Sequence, residues 1–120
     1  PVFPIYCILL NLRLIKQEGI DSISKKNKIK SELIYSEIDR NKCFSGFSEV
    51  SDRSQMNATF NMKEGFDSEL FNKICSKNNI SGINGHRSVG GYRASIYNAL
   101  SLDSLNVLVD SMKEFELSQE

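Results

Sequence analysis

The sequence predicts an α+β fold: a two-layer sandwich with a small antiparallel sheet, helices on one face of it, and two helices preceding it. Apolar residues recur at three- and four-residue spacings over about 23–38, 67–77 and 101–117, which is typical of helices with one buried face. Residues 55–62 and 92–97 instead alternate apolar and polar side chains, which is typical of strands with one buried face. Close strands joined by a short loop are antiparallel, and helices then cover one face of the sheet.

The first helix is predicted from Pro4 to about Gln17, because proline is tolerated in an opening turn and Gly19 stands just past the end. Its apolar side chains surround the helix, which predicts burial on all sides. A chain that starts at proline inside such a segment is expected to be a piece of something longer. Residues 1–19 are therefore predicted to link to a large domain not present in this sequence, and residues 20–120 to form a small domain.

The same apolar segment predicts no membrane span. Asn11 and Arg13 interrupt Pro1–Ile15 well short of the ~20 apolar residues that a spanning helix needs. It also lacks the basic start and small-residue end of a secretory signal.

The second helix is predicted to be capped by Asp21 or Ser22, with its lysines on the open face. The apolar residues expected to face inward are Ile23, Ile29, Leu33, Ile34 and Ile38. The lysine cluster Lys25, Lys26, Lys28 and Lys30 favours a solvated helix face over a nucleic-acid patch, because no aromatic residues interleave for base stacking.

The rest of the chain is predicted to alternate strands and helices. A polar connector over Asp39–Asp52 is predicted to contain one short strand and has no assigned function. It is followed by a strand with Met56, Ala58, Phe60 and Met62 inward and by a helix from Asp67 to about Lys77. The last elements are a short strand at Ile80–Ile83, a loop at Gly85–Gly91, a strand at Tyr92–Tyr97, and a helix capped by Ser101 or Asp103 that ends near Leu117.

Composition excludes several classes of protein. At 120 residues, with 40% hydrophobic and 25% charged residues, the chain fits one globular domain. Fifteen basic and fifteen acidic residues cancel, so no overall field attracts nucleic acid or an acidic membrane. Cys7, Cys43 and Cys75 form no C-x-x-C pair, and one histidine is too few for a usual zinc set. We expect reduced thiols in a cytoplasmic protein, and no metal site.

One stretch, from Gly85 to Asn98, concentrates the groups that bind anions. It holds His86, Arg87 and Arg93 around a Gly-Gly pair. Arginine grips carboxylates and phosphates in two parallel hydrogen bonds, and glycine lets the backbone turn or approach closely. The alternation places Arg93 on the face opposite the apolar residues. The stretch indicates a site for a small molecule with more than one anionic group. The alternative is that both arginines are surface or salt-bridging residues and His86 caps a turn.

The same residues carry a resemblance to a known family. Gly-His-Arg-Ser-Val-Gly-Gly-Tyr-Arg-Ala-Ser-Ile-Tyr-Asn-Ala resembles the C-terminal signature of the phosphoserine aminotransferases, class-V enzymes of fold type I. Three weaker matches follow the family order: the proline-rich start at Pro1–Tyr6, the Arg-Ser-x-Met-Asn strand at Arg53–Asn57, and the closing helix from Ser101 to Glu116. The likeness covers nearly the whole chain, which would be the last third of such an enzyme.

The resemblance implies a function and a division of roles. The full enzyme would transfer an amino group between glutamate and 3-phosphohydroxypyruvate, giving 2-oxoglutarate and phosphoserine in serine biosynthesis. Arg93 would hold the substrate α-carboxylate, while His86 and Arg87 would bind the distal phosphate or carboxylate. Pyridoxal 5'-phosphate would be the cofactor, but its Schiff-base lysine and phosphate-binding residues would lie upstream of Pro1. This chain would then hold no catalytic residue, be inactive alone, and form part of a homodimer.

Two other functions remain open on the sequence. The chain could be a stand-alone regulatory module that binds an amino acid through the two arginines. It could also be an interaction domain that uses Pro1–Ile15 as a partner-binding helix.

Overall fold

The computed structural model describes residues 1–85 and 90–119. Within them the α+β prediction is confirmed. The elements in chain order are α1 (Val2–Glu18), α2 (Ile20–Arg40), β1 (Phe44–Gly46), a short 3₁₀ turn (Val50–Asp52), β2 (Asn57–Met62), α3 (Ser68–Lys77), β3 (Tyr92–Ser95) and α4 (Leu102–Leu117).

The three strands form one antiparallel sheet in the order β1-β2-β3. In the register, Phe44 lies opposite Met62, Ala58 opposite Ala94, and Thr59 opposite Arg93. Side chains that lie opposite each other in an antiparallel pair project to the same face of the sheet. The buried face therefore collects the apolar members of all three strands, while Thr59 and Arg93 share the other face.

Five aromatic rings form the centre of the core, and each comes from a different element. The Phe44 ring of β1 lies 4.9 Å from Phe71 of α3, 5.5 Å from Phe60 of β2 and 5.7 Å from Phe115 of α4. Tyr92 of β3 stacks on Phe60 with ring centroids 5.4 Å apart. Aromatic pairs at these distances stabilise by ~0.5–1.5 kcal/mol beyond the area they bury. The cluster thus ties the sheet to two of the helices that cover it.

The helix ends follow local capping rules at two sites. Asp67 accepts hydrogen bonds from the backbone N–H groups of Glu69 and Leu70, which begins α3 as predicted. Ser101, and not Asp103, caps α4 by accepting from the Ser104 N–H at 3.1 Å.

The predicted cap of α2 by Asp21 or Ser22 is wrong. The helix begins at Ile20, with Gly19 at its N-cap and no side-chain cap. Gly19 has φ 86°, a conformation that glycine adopts without steric cost, so one residue is enough to separate α1 from α2. The carbonyl of Gly19 already accepts from the Ile23 N–H at 3.1 Å.

The predicted strand at Ile80–Ile83 is also absent. Asn79 and Gly82 have positive φ values of 58° and 68°, which interrupt an extended backbone. Only an isolated antiparallel bridge between Asn84 and Tyr92 remains. The polar connector is shorter than predicted, since α2 continues to Arg40, but it contains the expected short strand, β1.

The helix α1 buries none of its residues. Its large apolar side chains are exposed around the helix, from Val2 at 85% down to Leu10 at 40%. The structure thus confirms that the apolar residues surround the helix, and the described chain does not cover them. No helix in residues 1–85 or 90–119 combines the length and the apolarity that crossing a bilayer requires.

A buried polar cluster joins the end of α2 to the end of α4. The Arg40 guanidinium bridges Glu37 at 2.7 Å and Glu116 at 2.8 Å. The Asn41 amide donates to Glu37, and the Lys42 backbone N–H donates to Glu116 at 2.7 Å. These hydrogen bonds, led by the one from Lys42, hold the pKa of Glu116 below its usual value despite the opposing effect of burial.

This geometry predicts a pH-dependent contribution of Glu116 to stability. Replacing Glu116→Gln should lower the free energy of unfolding at pH 7 by about 2 kcal/mol, because a buried charge-assisted hydrogen bond is weakened. Because the folded-state pKa is depressed, the difference between wild type and variant should be full above the ordinary carboxyl pKa. It should shrink as the pH falls below about 4, where the native carboxylate takes up its proton.

Urea denaturation at several pH values measures this difference. Glu114→Gln is the matched control. The Glu114 carboxylate, on the same helix as Glu116, forms a surface ion pair with Lys77 of α3 and should contribute less to stability. Equal losses in the two variants, or a Glu116 effect unchanged between pH 7 and pH 3, would contradict the interpretation.

Candidate functional site

The strand β3 presents Arg93 as predicted from the alternation. Tyr92, Ala94 and Ile96 are buried, whereas Arg93 is exposed and Ser95 is half-buried. The strand is paired with β2, and the Arg93 N–H donates to the Ile83 carbonyl at 2.7 Å on the other side. The backbone of Arg93 is thus held from both sides, while its side chain projects from the face of the sheet opposite the aromatic core.

The Arg93 side chain has no hydrogen-bond or ion-pair partner among residues 1–85 and 90–119. It borders two cavities. One, of about 240 Å³, is lined also by Phe47, Thr59 and Asn61. The other, of about 360 Å³, lies toward Ser81 and α4. Within the described chain, the salt-bridging alternative for Arg93 therefore has no partner to support it.

His86 and Arg87 lie outside the described residues, so their predicted roles stay predictions. The two ends of their loop are described. The Gly85 N–H donates to the Gly91 carbonyl at 2.8 Å, directly beside the bridge between Asn84 and Tyr92. These contacts place the base of the loop at the edge of the sheet that carries Arg93.

The Gly-Gly pair is explained by its backbone. Gly90 and Gly91 have φ values of 75° and 67°, where a Cβ is strained. A Cβ on Gly91 would also overlap Asn61 Oδ1 and lie 2.9 Å from the Phe60 carbonyl oxygen. The close approach expected of the pair is thus made to β2.

Arg53, the first residue of the Arg-Ser-x-Met-Asn segment, serves the fold. Its guanidinium donates two hydrogen bonds to the Asp39 carboxylate at 2.6 and 2.7 Å and lies 4.6 Å from the centre of the Tyr35 ring. A Cβ on Gly46 would lie 2.8 Å from Arg53 Nη2, so the arginine packs closely against β1. This arrangement joins α2 to the segment that enters β2.

Comparison with known proteins places this geometry in a family. The family model described as "Aminotransferase class-V" matches residues 1–108. The chain belongs to the class-V aminotransferases. The resemblance to phosphoserine aminotransferases, read from the C-terminal motif, is confirmed by the relatives below.

Curated relatives and solved structures agree on the closer likeness. The phosphoserine aminotransferase of Flavobacterium psychrophilum is 56% identical over 117 residues, which cover 97% of this chain and 33% of the relative. That of Bacteroides thetaiotaomicron is 49% identical over 97% of this chain and 34% of the relative. The solved phosphoserine aminotransferase from Bacillus circulans subsp. alkalophilus superposes with a TM-score of 0.93, at 37% identity over 100% of this chain and 34% of that one.

A second solved structure, PLP-bound phosphoserine aminotransferase from Trichomonas vaginalis, has a TM-score of 0.85 and 32% identity, and covers 94% of this chain and 33% of that one. The chain thus spans about a third of the length of these relatives. They are named as enzymes and give no support to the alternative of a stand-alone regulatory module.

Class-V aminotransferases depend on pyridoxal phosphate, which a lysine side chain holds as a Schiff base. Lys30 is the one buried lysine of the described chain. Its Nζ donates to the carbonyls of Tyr97 at 2.7 Å, Leu100 at 3.3 Å and Ile96 at 3.4 Å. These three hydrogen bonds to backbone oxygens indicate that Lys30 is a structural anchor.

The prediction that Lys30 lies on the solvated face of α2 is wrong, because its side chain is buried. It belongs to the buried stripe of α2, with Asn27 before it and Ile34 and Ile38 after it. Burial, and to a lesser degree the charge of Lys26, lowers the pKa of Lys30. Asn27 donates to Asn98 Oδ1 at 2.8 Å, so α2 holds the turn that follows β3 at two points. The i, i+3, i+7 spacing of these residues was the signal available in the sequence.

The two buried thiols, Cys43 and Cys75, do not suit nucleophilic chemistry. Burial raises the pKa of the Cys75 thiol to about 11 and that of Cys43 above its usual value, which disfavours the reactive thiolate. All three cysteines are free, as expected, and no group of three or more metal-binding side chains occurs in the described part of the chain.

The contact of Gly91 with β2 predicts how the motif tolerates substitution. Gly91→Ala should destabilise the protein by about 1–3 kcal/mol, since it adds overlap with Asn61 to a strained φ. Gly65→Ala is the matched control, because Gly65 has φ 92° but open space around it. Thermal or urea unfolding should show a clearly larger loss at Gly91, and equal losses would mean that the contact with Asn61 carries no free energy.

Proposed function

We propose that this chain is the C-terminal portion of a phosphoserine aminotransferase. In that enzyme an amino group passes between glutamate and 3-phosphohydroxypyruvate, with pyridoxal phosphate supplying the electron sink for the transfer. The observation that carries the proposal is the guanidinium of Arg93, which has no partner among the described residues and is held on a doubly paired strand beside a cavity. The similarity to named phosphoserine aminotransferases over 97% of the chain supports it.

The contribution of this chain is a clamp for anionic groups. Arg93 binds the α-carboxylate that phosphoserine and glutamate share, through two parallel hydrogen bonds. His86 and Arg87 bind the group at which the substrates differ, a phosphate or a second carboxylate. Holding both ends of the substrate orients its amine and keeps the reacting carbon in one place, which lowers the entropic part of the barrier.

We also propose the division of the chain into two parts. Residues 1–19 connect to the large domain, and residues 20–120 form the C-terminal small domain. The exposed apolar surface of α1 supports this division, since a helix apolar all round needs covering from outside residues 20–120. The full-length enzyme is then a homodimer in the cytoplasm. Domain closure over the substrate would bring the Arg93 face toward the cofactor.

Arg93→Lys in the full-length enzyme tests the clamp. Lysine keeps the charge but loses the fork, so KM for phosphoserine and for glutamate should each rise roughly tenfold or more. The exposed residue Lys73 on α3 serves as the charge control, and Lys73→Ala should leave both KM values unchanged. Unaltered KM values in Arg93→Lys, with the fold intact by circular dichroism, would refute the role of Arg93.

The assignment of Lys30 as a structural anchor predicts the behaviour of the isolated 120 residues. Pyridoxal phosphate added to this chain should give no stable absorption band assignable to one lysine, and no transamination. Lys30→Met is the informative variant, because Lys30 is the one buried lysine of residues 1–85 and 90–119. A stable band in the wild-type chain that disappears in Lys30→Met would contradict the assignment of Lys30 as a structural anchor.

A further inference from the structure

The face of the sheet opposite the aromatic core carries a row of three side chains across the strands. The Phe47 N–H donates to the Thr59 carbonyl at 3.1 Å, which continues the pairing of β1 with β2 one residue beyond Gly46 and Phe60. Thr59 lies opposite Arg93 in the pairing of β2 with β3. Because residues opposite each other share a face, Phe47, Thr59 and Arg93 project together, with Thr59 in the middle.

The sizes of the three side chains turn this row into a concavity. Neighbouring strands lie about 4.8 Å apart, so the backbones of Phe47 and Arg93 are separated by about 10 Å. The two outer side chains are long and the central one is short. The cavity of about 240 Å³ beside Arg93 is lined by all three, together with Phe60, Asn61, Gly85, Gly90 and Tyr92. Thr59 Oγ1 lies 3.4 Å from Ser48 Oγ at the floor of the row.

Phe47 is an aromatic residue whose position the core does not explain. It is 56% exposed, whereas the other phenylalanines of the sheet, Phe44 and Phe60, are fully buried. Its ring borders the same cavity as a guanidinium that has no partner in the described chain. An apolar wall beside such a charge displaces water, and an ion pair is stronger where the local dielectric constant is lower.

We propose that Phe47 contacts the substrate. Its ring forms the apolar wall of the carboxylate site, and Arg93 forms the opposite side. The α-carboxylate sits over Thr59, accepts hydrogen bonds from Arg93 and from the Thr59 hydroxyl, and is shielded from solvent by the Phe47 ring on the β1 side. This inference rests on the proposed function, since it takes Arg93 as the ligand of the α-carboxylate. It assigns a role to the connector between α2 and β2, for which the sequence indicated none.

The proposal makes a distinctive claim about both substrates. The α-carboxylate is common to phosphoserine and glutamate, so removal of the ring should weaken the binding of both substrates by the same factor. A wall that contacted the distal group would affect one substrate more than the other. Loss of shielding should also make binding more sensitive to salt, because exposed ion pairs are screened and desolvated ones much less so.

The experiment uses the full-length enzyme with Phe47→Ala, Phe47→Leu and, as matched control, Val50→Ala. Val50 is 73% exposed on the same connector but outside this cavity. Steady-state constants for phosphoserine and glutamate are measured at about 0.05 M and about 0.3 M NaCl, one below and one above physiological ionic strength. Phe47→Ala should raise both KM values about 3- to 10-fold with kcat changed less than about twofold, the pattern of lost uniform binding.

The salt dependence of KM should be steeper in Phe47→Ala than in wild type, and Phe47→Leu should restore much of the loss by keeping an apolar wall. Val50→Ala should behave as wild type. The proposal is overturned if Phe47→Ala gives the same KM values as Val50→Ala, or if it raises KM for one substrate alone. Thr59→Val, which removes the hydroxyl and keeps the shape, should raise both KM values in parallel, and an unchanged enzyme would remove Thr59 from the site.

Arg93→Lys separates this proposal from the one beneath it. If Arg93→Lys raises both KM values and Phe47→Ala does not, only the wall is wrong. If Arg93→Lys leaves both KM values unchanged, the proposed function fails, and the wall fails with it.

Discussion

The contact on which the rest of the structure depends is the packing of Phe44 against rings from four other elements. Its ring lies within 6.4 Å of Phe60, Phe71, Tyr92 and Phe115. Each ring is contributed by a different strand or helix, so the cluster sets which residues of each strand face inward. A one-residue slip in any strand would turn its ring to solvent, which strongly specifies the register. The register in turn decides what stands on the opposite face.

The opposite face is therefore a consequence of the core. Once Phe60 and Tyr92 are stacked inward, Thr59 and Arg93 have to be neighbours on the other side. The same logic extends to Phe47, one residue beyond the end of β1. A guanidinium displayed in this way keeps its hydrogen-bonding capacity for a ligand, because the described fold gives it no carboxylate. Burial on one face of the sheet thus determines which side chains the other face presents.

The helix α2 supports the arrangement through polar contacts at its middle and at its C-terminal end. Lys30 and Asn27 hold the turn after β3, and Glu37 with Arg40 joins α2 to Glu116 of α4. Buried charges are tolerated only when their hydrogen bonds are satisfied, as they are here. These contacts fix the ends of β3 and α4 relative to α2. The strand that carries Arg93 is consequently anchored along its whole length.

The sequence by itself determined the features that depend on neighbours along the chain. The alternation at Tyr92–Tyr97 indicated which way Arg93 points, and the residues at Asp67 and Ser101 marked helix starts, because periodicity and capping act within a few residues. The motif around the Gly-Gly pair was specific enough to indicate the family. Only the tertiary structure decided the rest. The hydrogen bonds of Lys30 to the turn after β3 and the row from Phe47 to Arg93 both join segments that are separated along the chain, and no local pattern specifies these pairings. Their physical cause is the packing of the core, which selects one register and one helix face from several that the sequence allows.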